Sequence, residues 1–541
     1  MLKTFKRPRY AYLRSPEQAN GQLRRHPVVV VGAGPVGLTA ALDLARRGLS
    51  VVVVDYNDTG RVGSRAVCHA QRTLEIWVRL GCAAALLAKG VSGRVGKVFF
   101  GDARAYQFDL LPEPHHTMPA MINLQQYYVE AHMVEACDAD ARIDLCWRHK
   151  VVNLAQDDTG VRLDVETPDG TFQLEADWVV ACDGVNSDVR AMVGAAFTGQ
   201  TFHDKFLIAD VMMKADLPTE RRFWFDPPFH AGQSVLLHRQ ADNVWRIDFQ
   251  LDRDADPEFE SQPERVVPRI EAMLGKEIAF ELEWVSVYQF ACRRIDRFRH
   301  GRILFAGDAA HQVSPFGARG ANSGVQDVDN LAWKLALVVA GEAPPSLLDS
   351  YHDERARAAD DNILNSTRST DFISPKNAAS RIYRDAVLDL ARDHALARPL
   401  VNSGRLSLPT PYGDSPLNTP DRDGFEGGIA PGAAAADAPV EGMGGAGWFL
   451  NELGDGFTLI VFGDVAQASD IRHAALGLKI LVVGRDIVDT TGLLAKRYDA
   501  EPGTVYLFRP DQHVAARWRV LNADLIGKAL MYATARRAGG S

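Results

Sequence analysis

The segment from residue 27 to 55 reads PVVVVGAGPVGLTAALDLARRGLSVVVVD and decides the fold of the first domain. The valines at 28–31 and 51–54 predict two buried parallel strands, because both faces of each run are apolar. Between them, the glycine-rich turn at 32–37 opens a segment with helical periodicity. This order of strand, turn, helix and strand makes a GxGxxG pattern informative. It predicts a βαβ unit that binds a dinucleotide.

Each glycine of this turn has a separate expected role. Gly32 permits the tight turn, Gly34 lets the backbone approach a pyrophosphate, and Gly37 lets the helix pack on the strand. The N-terminus of the helix presents free N–H groups and a positive dipole end to the phosphates. Asp55 ends the second strand, where a carboxylate would hold a ribose hydroxyl. A glycine loop in an unrelated βαβ unit is the alternative, and the pattern does not say which dinucleotide binds.

The composition excludes several classes of protein. The chain has 541 residues and a net charge of −9, which predicts several domains and argues against a nucleic-acid partner. Its six cysteines show neither CxxC nor zinc spacing, so we expect no metal site, no disulfide framework and a cytoplasmic location. No apolar run is long enough to cross a membrane. The basic residues 1–26 predict a surface arm, with a membrane-binding or partner-binding arm as the alternative.

Composition and periodicity change along the chain. Short alternating strands dominate residues 200–300 and predict an antiparallel sheet inserted into the nucleotide-binding domain. The C-terminal part predicts strand, helix, strand, short helix, two strands and a final helix. The predicted division is a basic arm at 1–26, a nucleotide-binding domain at 27–199 and 301–400, a substrate-binding sheet at 200–300, a linker and domain entry at 401–447, and a C-terminal domain at 448–541.

Two further motifs follow the glycine turn. They are CDGVNSDVR at 182–190 and GRILFAGDAAHQVSPFGARGANSGVQD at 301–327. Together with GAGPVG at 32–37, they resemble the FAD-dependent aromatic hydroxylases, the single-component flavoprotein monooxygenases typified by para-hydroxybenzoate hydroxylase. The resemblance covers about residues 27–395 and implies an α/β fold, a Rossmann-like FAD-binding domain with an inserted α+β sheet domain. The tail resembles the thioredoxin-like extension of phenol hydroxylase relatives, but it has no cysteine, which excludes thiol–disulfide exchange there.

The resemblance also implies a set of FAD-binding residues. Asp55 stands where the family more often has glutamate, and Asp308 would hold the ribityl chain. The alternatives are a solvated loop arginine for Arg65, a turn former for Asp183 and a surface ion pair for Arg190. The implied cofactor-binding residues are Gly32, Gly34, Gly37, Asp55, Arg65, Gln126, Asp183, Gly184, Arg190, Gly307, Asp308, Gly320, Ala321 and Asn322.

By the same resemblance, the stretch 315–322 lies beside the isoalloxazine ring. It reads PFGARGAN and closely matches the GAKGLN form of the family, with Arg319 in place of lysine. Its two glycines let the backbone approach the ring, and the following helix points its positive end at the pyrimidine edge. Pro315, Gly317 and Arg319 are implied for the catalytic environment of the flavin, and no base is assigned.

The resemblance implies an enzyme, an FAD-dependent NAD(P)H:aromatic monooxygenase acting on a phenolic or related aromatic substrate. FAD is the expected bound cofactor, with NAD(P)H and O2 as co-substrates, and the sequence does not decide between NADH and NADPH. In this mechanism oxygen adds to flavin carbon 4a, and the hydroperoxide transfers OH to the ring. A phenolate attacks better than a phenol, so the protein must help to remove the phenolic proton and must exclude water.

The substrate residues are expected on strands of the inserted sheet. A guanidinium at Arg222 or Arg246 would bind a substrate carboxylate, and Trp224 would stack on a ring. Ordinary sheet packing or surface placement is the alternative for each candidate. His69 and His311 flank the cofactor motifs as candidates for a proton relay, with a structural role as the alternative for His311. The candidate substrate residues are Arg222, Trp224, His238, Arg246 and Tyr288.

Other functions use the same fold. The alternatives are an epoxidase or Baeyer–Villiger-type oxygenase acting on a polycyclic substrate, and a non-hydroxylating flavin redox sensor. The Trp-x-Trp-x-Ile-Pro motif of flavin halogenases does not occur in the sequence. As partners we expect a small aromatic substrate and a second copy in a homodimer, and neither nucleic acid nor membrane.

Overall fold

The computed structural model describes residues 2–60, 63, 65–215, 217–401, 407–442, 444–463 and 477–536. Their strands form two eight-stranded sheets and three smaller ones. The predicted helix between residues 463 and 477 lies outside the described residues. Within the described ranges, no helix is both long enough and apolar enough to cross a lipid bilayer.

Helices and strands alternate at the start of the chain, and long antiparallel strands follow them. The elements up to residue 192 are α1 (Pro16–Asn20), β1 (Arg25–Val31), α2 (Pro35–Arg46), β2 (Val51–Asp55), β3 (Cys68–Ala70), α3 (Gln71–Arg79), α4 (Ala83–Lys89), β4 (Val91–Ser92), β5 (Val95–Phe100), β6 (Ala103–Asp109), β7 (Met121–Asn123), α5 (Gln126–Asp138), β8 (Ile143–Trp147), β9 (Lys150–Gln156), β10 (Val161–Thr167), β11 (Gly170–Ala181) and α6 (Asp188–Met192). The elements from residue 197 to 393 are β12 (Phe197–Met213), β13 (Arg221–Phe225), β14 (Ser234–Arg239), β15 (Val244–Leu251), α7 (Pro257–Glu260), α8 (Pro263–Leu274), β16 (Phe280–Ile295), β17 (Arg299–His300), β18 (Ile303–Phe305), β19 (His311–Gln312), α9 (Gly320–Val339), α10 (Asp349–Ile373) and α11 (Ala378–Asp393). The elements from residue 439 to 533 are β20 (Pro439–Gly442), β21 (Gly445–Trp448), α12 (Phe449–Glu452), β22 (Thr458–Phe462), β23 (Lys479–Val483), α13 (Leu493–Arg497), β24 (Val505–Phe508), β25 (Val514–Trp518) and α14 (Ala523–Ala533).

The first large sheet positions the three sequence motifs. Strands β18, β11, β1, β2 and β8 lie side by side in that order and are all parallel. The valines of β1 and β2 are buried, as their uninterrupted apolar runs predict. Because parallel strands end at the same edge of a sheet, the turns after β1, β11 and β18 become neighbours in space.

The second large sheet is antiparallel over most of its width. Its order is β19-β16-β12-β15-β14-β13-β5-β6, and only β13 and β5 pair in parallel. Along β12, Leu207 and Ala209 pack into an apolar cluster with Val266 and Ile270 of α8. Side chains alternate along a strand, so the intervening residues of β12 face the opposite side of the sheet.

Two short strands depart from the predicted order of domains. The sequence assigns residues 27–199 to one unit, but β5 and β6 extend the edge of the second large sheet. The physical reason is that β5 pairs in parallel with all five residues of β13. Local periodicity predicts a strand but does not say which sheet it will join. Strand pairing alone does not define domain boundaries, so the division into domains stays a prediction.

The N-terminal arm lies across both large sheets. Lys3 N and Thr4 N donate to the carboxylate of Glu283, on β16, at 2.8 and 3.0 Å. Tyr10 stacks on Trp147, at the end of β8, with 4.3 Å between the ring centroids. The arm thus connects the two sheets before the chain enters β1.

The C-terminal residues form a separate four-stranded sheet. Its order is β23-β22-β24-β25, with β22 and β23 parallel and the other two pairs antiparallel. Apolar residues of this sheet and of α14 share a cluster with Trp333 of α9. The tail therefore packs directly on α9, the helix that begins within the third motif.

Buried charges join the tail to α9 and α10. Arg509 Nη1 donates to Glu354 Oε1 at 2.6 Å, and Lys334 Nζ donates to Glu354 Oε2 at 2.7 Å. Burial alone would raise the pKa of Glu354, but these two cations outweigh it and hold that pKa well below its usual range. The ring of Tyr412 lies against both Arg355 and Arg509. We term this group the interface network, with members Asp327, Lys334, Glu354, Arg355, Arg509 and Asp511.

Candidate cofactor and substrate site

Three turns meet at the carboxyl edge of the parallel sheet. Gly32 N donates to Val54 O at 2.8 Å, which fixes the glycine turn beside the end of β2. Cys182 N donates to Val31 O at 2.8 Å and brings the second motif against the first. The turns border a cavity of about 930 Å³ that continues to the face of the antiparallel sheet. Its volume is in the range of cofactor and ligand sites.

The glycine turn has the close contacts that its sequence predicts. Gly32 has φ +105°, and a Cβ there would lie 2.6 Å from Cys182 O. A Cβ on Gly37 would lie 1.8 Å from Gly32 O, so only glycine allows α2 to start here. A Cβ on Gly34 would meet no atom within 4 Å, because this residue borders the cavity. The open space at Gly34, in front of the α2 N-terminus, fits a bound pyrophosphate.

Asp55 lies in the cavity wall and already orders the glycine turn. Its Oδ2 accepts a hydrogen bond from Ala33 N at 2.7 Å, and its Oδ1 accepts from Asn57 N at 2.8 Å. A carboxylate has about four lone-pair sites, so these bonds leave capacity for ribose hydroxyls.

Asp183 carries an unpaired oxygen at the cavity. Its Oδ2 accepts from Val189 N at 3.1 Å, whereas its Oδ1 is buried without a hydrogen-bond partner in the described residues. Burial raises the pKa of Asp183 above its usual value. Asp183 and Gly184 both line the cavity. A buried, unpaired oxygen at the wall of a cavity fits a ligand that donates a hydrogen bond.

Arg190 does not line the cavity and instead ties two motifs together. Its Nη1 donates to Ala309 O at 3.1 Å, and its Nη2 donates to Val185 O at 2.7 Å. Its guanidinium also lies 4.2 Å from the ring centroid of Phe197. These contacts give it a structural function between the second and third motifs.

The third motif is anchored by Asp327 of α9. Asp327 Oδ2 accepts from Gly307 N at 2.9 Å and lies 2.7 Å from His311 Nε2, and its Oδ1 accepts from Arg355 Nε at 2.6 Å. This arrangement leaves Asp308 exposed at the cavity, where it can bind a ligand, while Gly307 stays outside the lining.

The two histidines predicted as proton relays lie inside the fold. His311 is fully buried beside Asp327. His69 Nε2 lies 3.2 Å from Leu124 O, and burial lowers the pKa of His69 to about 4, partly offset by that contact. Neither ring lines the cavity, so the structure does not bring either of them to the site.

The stretch 315–322 forms the wall between the two ends of the cavity. Asn322 Oδ1 accepts from Ala70 N at 2.9 Å, and Asn322 Nδ2 donates to Cys68 O at 2.9 Å. Arg319 Nη1 donates to Asn362 Oδ1 at 2.9 Å, and burial lowers the pKa of Arg319. The candidates that line the cavity here are Pro315, Arg319, Gly320, Ala321 and Asn322, whereas Gly317 lies behind them and accepts from Ser407 N at 3.0 Å.

Arg65 and Gln126 complete the candidate cofactor wall. Both line the cavity, and the Arg65 side chain is exposed. Gln126 Oε1 accepts from Ala66 N at 3.1 Å, which holds the loop after β2 against α5.

The far end of the cavity lies under the antiparallel sheet and is largely apolar. Phe316 meets Phe206 and Phe290 with ring centroids 5.1 and 5.6 Å apart. Aromatic edges and faces at this spacing are suited to hold a planar ring. The residues that line this end include Phe206, Ile208, Arg221, Leu236, His238, Arg246, Asp248, Tyr288, Phe290 and Phe316.

A row of polar side chains crosses this apolar surface. Strand pairing aligns His238 with Arg246 and Arg246 with Asp210, and the register of β13 places Arg221 at the end of the row. Arg246 Nε and Nη2 donate to the two carboxylate oxygens of Asp210, each at 2.8 Å. Arg221 makes no ion pair within the described residues, and its Nη1 lies 3.7 Å from the sulfur of Cys68.

Two groups near this row keep unpaired atoms. His238 Nε2 and Asp248 Oδ1 are buried without hydrogen-bond partners in the described part of the chain. Burial, together with the charges of Arg221 and Arg246, holds the pKa of His238 well below its usual range. Burial raises the pKa of Asp248 to about 6, although Arg246 and Arg221 oppose the shift. We term Arg221, His238, Arg246 and Asp248 the cavity cluster.

Arg222 and Trp224 point away from the cavity. Arg222 Nε donates to Glu220 Oε1 at 2.6 Å, and Trp224 stacks on Phe99 with centroids 5.1 Å apart. Side chains alternate along β13, so Arg221 faces the cavity and its neighbour Arg222 cannot. His238, Arg246 and Tyr288 do line it, as the sequence predicts.

Sequence reasoning also missed Arg221, Asp248 and Cys68. The buried residues Phe223 and Phe225 share the face of Arg221, and this apolar alternation was the available signal for choosing between the two arginines. Asp248 follows Arg246 by two positions and therefore shares its face. No signal in the sequence pointed to Cys68, because its position depends on the pairing of β3 with β7.

Comparison with known proteins identifies the family. The chain belongs to the family described as "FAD binding domain", whose model matches residues 25–366. The unpaired Asp183 oxygen, the open position at Gly34 and the helix N-terminus are consistent with this cofactor. The prediction of an α/β FAD-binding fold is confirmed.

Relatives over nearly the full length are oxygenases. The chain is 31% identical to 6-methylpretetramide 4-monooxygenase of Streptomyces rimosus, over 93% of this chain and 92% of the relative. It is 30% identical to a Rhodococcus jostii protein named "Probable NADH-specific resorcinol 4-hydroxylase", over 90% of this chain and 91% of the relative. The protein is thus an FAD-dependent monooxygenase of the aromatic hydroxylase class.

A solved structure has the same fold. The flavin-dependent monooxygenase PieE, crystallised with FAD and substrate, superposes with a TM-score of 0.79 at 23% identity. The match covers 95% of this chain and 99% of that chain. The shared fold therefore includes the tail as well as the two large sheets.

Proposed function

We propose that this monooxygenase hydroxylates a phenolic ring held between residues 315–322 and the antiparallel sheet. One observation carries the proposal: a single cavity joins the FAD cradle to a pocket that combines an aromatic wall with a buried charged cluster. Aromatic residues suit a planar ring, and unpaired polar atoms suit a hydroxyl group. The names of the two relatives, a monooxygenase and a resorcinol hydroxylase, support the same reaction class.

The cofactor-side residues would hold FAD in this proposal. The glycine turn and the α2 N-terminus would bind the pyrophosphate, Asp55 a ribose, and Asp308 the ribityl chain. The N-terminus of α9 at Gly320 would meet the redox-active ring. Arg190, Gly307, Gly37 and Gly317 would act indirectly, by shaping the turns. Bound FAD, once reduced by NAD(P)H, supplies the electrons that activate O2 for transfer of one oxygen atom to the ring.

The residues of the protein would position the substrate, exclude water from it and stabilise its ionised form. Phe206, Phe290 and Phe316 exclude water from the ring. Arg246 is neutralised by Asp210, whereas Arg221 has no carboxylate partner in the described residues and is available to an anionic oxygen. Burial keeps His238 neutral, so it can exchange a hydrogen bond without adding charge.

The test uses the purified holoenzyme with a panel of phenols and their matched methyl ethers. NAD(P)H oxidation, hydroxylated product and H2O2 are measured for each compound. We expect phenols to stimulate oxidation with product formation, and the ethers, which lack the hydroxyl, to give mainly H2O2. A holoenzyme that no aromatic compound stimulates would contradict the proposal and favour a redox sensor. An epoxide or lactone product would favour the alternative oxygenases.

Further predictions concern the tail, the assembly and the compartment. We infer that the tail is thioredoxin-like, which its strand order and directions support. The six cysteines are all buried and unpaired, which supports a cytoplasmic location. The homodimer and the division into domains stay predictions, to be tested by mass in solution and by limited proteolysis.

A further inference from the structure

The carboxylate of the cavity cluster, Asp248, lies between apolar neighbours on its sheet. Asp248 pairs across the sheet with Ile208 on one side and with Leu236 on the other. Both neighbours are apolar residues of the cavity wall. A carboxylate placed between apolar side chains is poorly solvated and is driven toward its protonated form.

The cavity cluster is connected to the stretch 315–322 beside the proposed flavin position, and the charge of Asp248 acts on the connecting residue, Cys68. Cys68 provides the connection, because its sulfur lies 3.9 Å from His238 Nδ1 and its carbonyl oxygen accepts from Asn322 Nδ2 at 2.9 Å. Asn322 belongs to the stretch beside the proposed flavin position. Asp248 also lies on the same face as the aromatic wall, because its cross-strand neighbour Ile208 follows Phe206 by two positions on β12.

From this geometry we propose that the Asp248 carboxylate accepts the phenolic proton of the substrate. The inference rests on the proposed function and assigns the base that the reaction needs. Asp248 Oδ1 is buried, unpaired and on the cavity wall, so a substrate hydroxyl is its natural donor. Arg221, which lines the same cavity, would then stabilise the oxygen that becomes negative.

The proton transfer balances within the cavity. The substrate O–H bond breaks, a bond forms between the proton and Asp248 Oδ1, and the electron pair stays on the phenolate oxygen. That pair increases the electron density of the ring at the ortho and para carbons. The proton leaves the carboxyl group for solvent after product formation.

The pKa of Asp248 suits a general base. Burial raises its pKa to about 6, near the pH at which a base works most efficiently. The charged and titratable groups that act on it are Arg246 from its own strand, Asp210 from β12, Arg221 from β13 and Cys68 from β3, and His238 from β14 interacts with the same two arginines. Above pH 6 the carboxylate is ionised and can accept a proton, and below that pH it cannot.

The experiment compares D248N with wild type on those phenols of the panel that wild type hydroxylates, chosen with phenolic pKa values on both sides of the assay pH. Loss of a general base typically reduces turnover by about a hundredfold to ten-thousandfold. We expect a loss in this range for phenols that are neutral in solution, and a much smaller loss for phenols already ionised. The acid limb of the wild-type pH profile, near pH 6, should disappear in the variant.

Two further variants and one spectroscopic measurement separate chemistry from structure. D254N makes the same change at an exposed position on the loop after β15 and should behave as wild type. D248E keeps a carboxylate and should recover part of the lost activity. Infrared difference spectra of the holoenzyme should show a carboxyl band that disappears as pH rises through about 6, and D248N should lack it.

The outcomes are distinguishable. Equal activity of D248N and wild type on neutral phenols, or a uniform loss regardless of phenolic pKa, would overturn the assignment while the hydroxylase function stands. A wild-type enzyme that hydroxylates no phenol would overturn the function and the assignment together.

Discussion

The protein contains two buried groups of charges that differ in how well their atoms are paired. In the interface network, Glu354 accepts from Arg509 and Lys334, and no buried side-chain atom of its six members lacks a hydrogen-bond partner within the described residues. In the cavity cluster, His238 and Asp248 each keep a buried atom without a partner. The pKa of Glu354 is lowered, whereas that of Asp248 is raised.

This difference in pairing distinguishes buried charges that stabilise the fold from buried charges that are available to a ligand. A buried charge that finds its full set of partners inside the chain holds elements together. A buried charge left without partners is costly to the free protein, and the cost is tolerable where a ligand supplies the missing partner. The comparison therefore indicates which carboxylates should stabilise the fold and which should serve the substrate.

The largest expected effect is on stability, from E354Q. Neutralising Glu354 leaves Lys334 and Arg509 buried without their shared carboxylate, which typically costs about 3–5 kcal/mol of unfolding free energy. The measurement is chemical denaturation of the holoenzyme. The matched control is D360N on the same helix, whose exposed pair with Arg294 should contribute less than about 1 kcal/mol. Equal losses in the two variants would refute the distinction.

The second prediction has the opposite sign. The native pKa of Asp248, about 6, lies above its usual value of 3.8, so its ionised form weakens the fold above pH 6. D248N should therefore be more stable than wild type by about 2 kcal/mol or less at pH 7.5. This gain should shrink as pH falls from 6 toward 4, where the native carboxyl is already protonated. Thermal unfolding of D248N and wild type at pH 7.5 and at about pH 4 checks this prediction. If D248N is less stable than wild type at pH 7.5, Asp248 belongs with the carboxylates that stabilise the fold.

The smallest expected effect on the fold comes from G34A. A Cβ at this position meets no protein atom within 4 Å, so the stability of the apoprotein should change by less than about 1 kcal/mol. The methyl group would occupy the space proposed for the pyrophosphate. The binding free energy of FAD should therefore become less favourable by about 1–3 kcal/mol. Fluorescence titration of the apoprotein with FAD measures this. Unchanged FAD affinity would place the pyrophosphate elsewhere.

The fold was more predictable than the substrate pocket. The valine runs at 28–31 and 51–54 have the pattern of buried parallel strands, and each cofactor motif directly follows a strand. Since parallel strands of one sheet end at the same edge, the three turns are expected to meet once these strands are assigned to one sheet. The confirmed FAD-binding fold depends on these local signals.

The pocket depends on contacts between distant parts of the chain. Alternation along β13 shows that neighbouring residues face opposite ways, but the side that faces a cavity depends on the packing of α8 against the other face. For this reason the sequence favoured Arg222 where the structure places Arg221. The pairing of β5 with β13 and the contact of Cys68 with His238 are equally non-local.

The interface network also determines when the protein can finish folding during translation. Glu354 is synthesised 155 residues before its partner Arg509, and Lys334, which shares that carboxylate, is synthesised still earlier. Until that arginine has left the ribosome, Glu354 lacks one of the two cations that neutralise its buried carboxylate. The nascent FAD-binding domain therefore cannot reach its final packing until nearly the whole chain has emerged, and termination before residue 509 deprives that domain of its ion pair with Arg509.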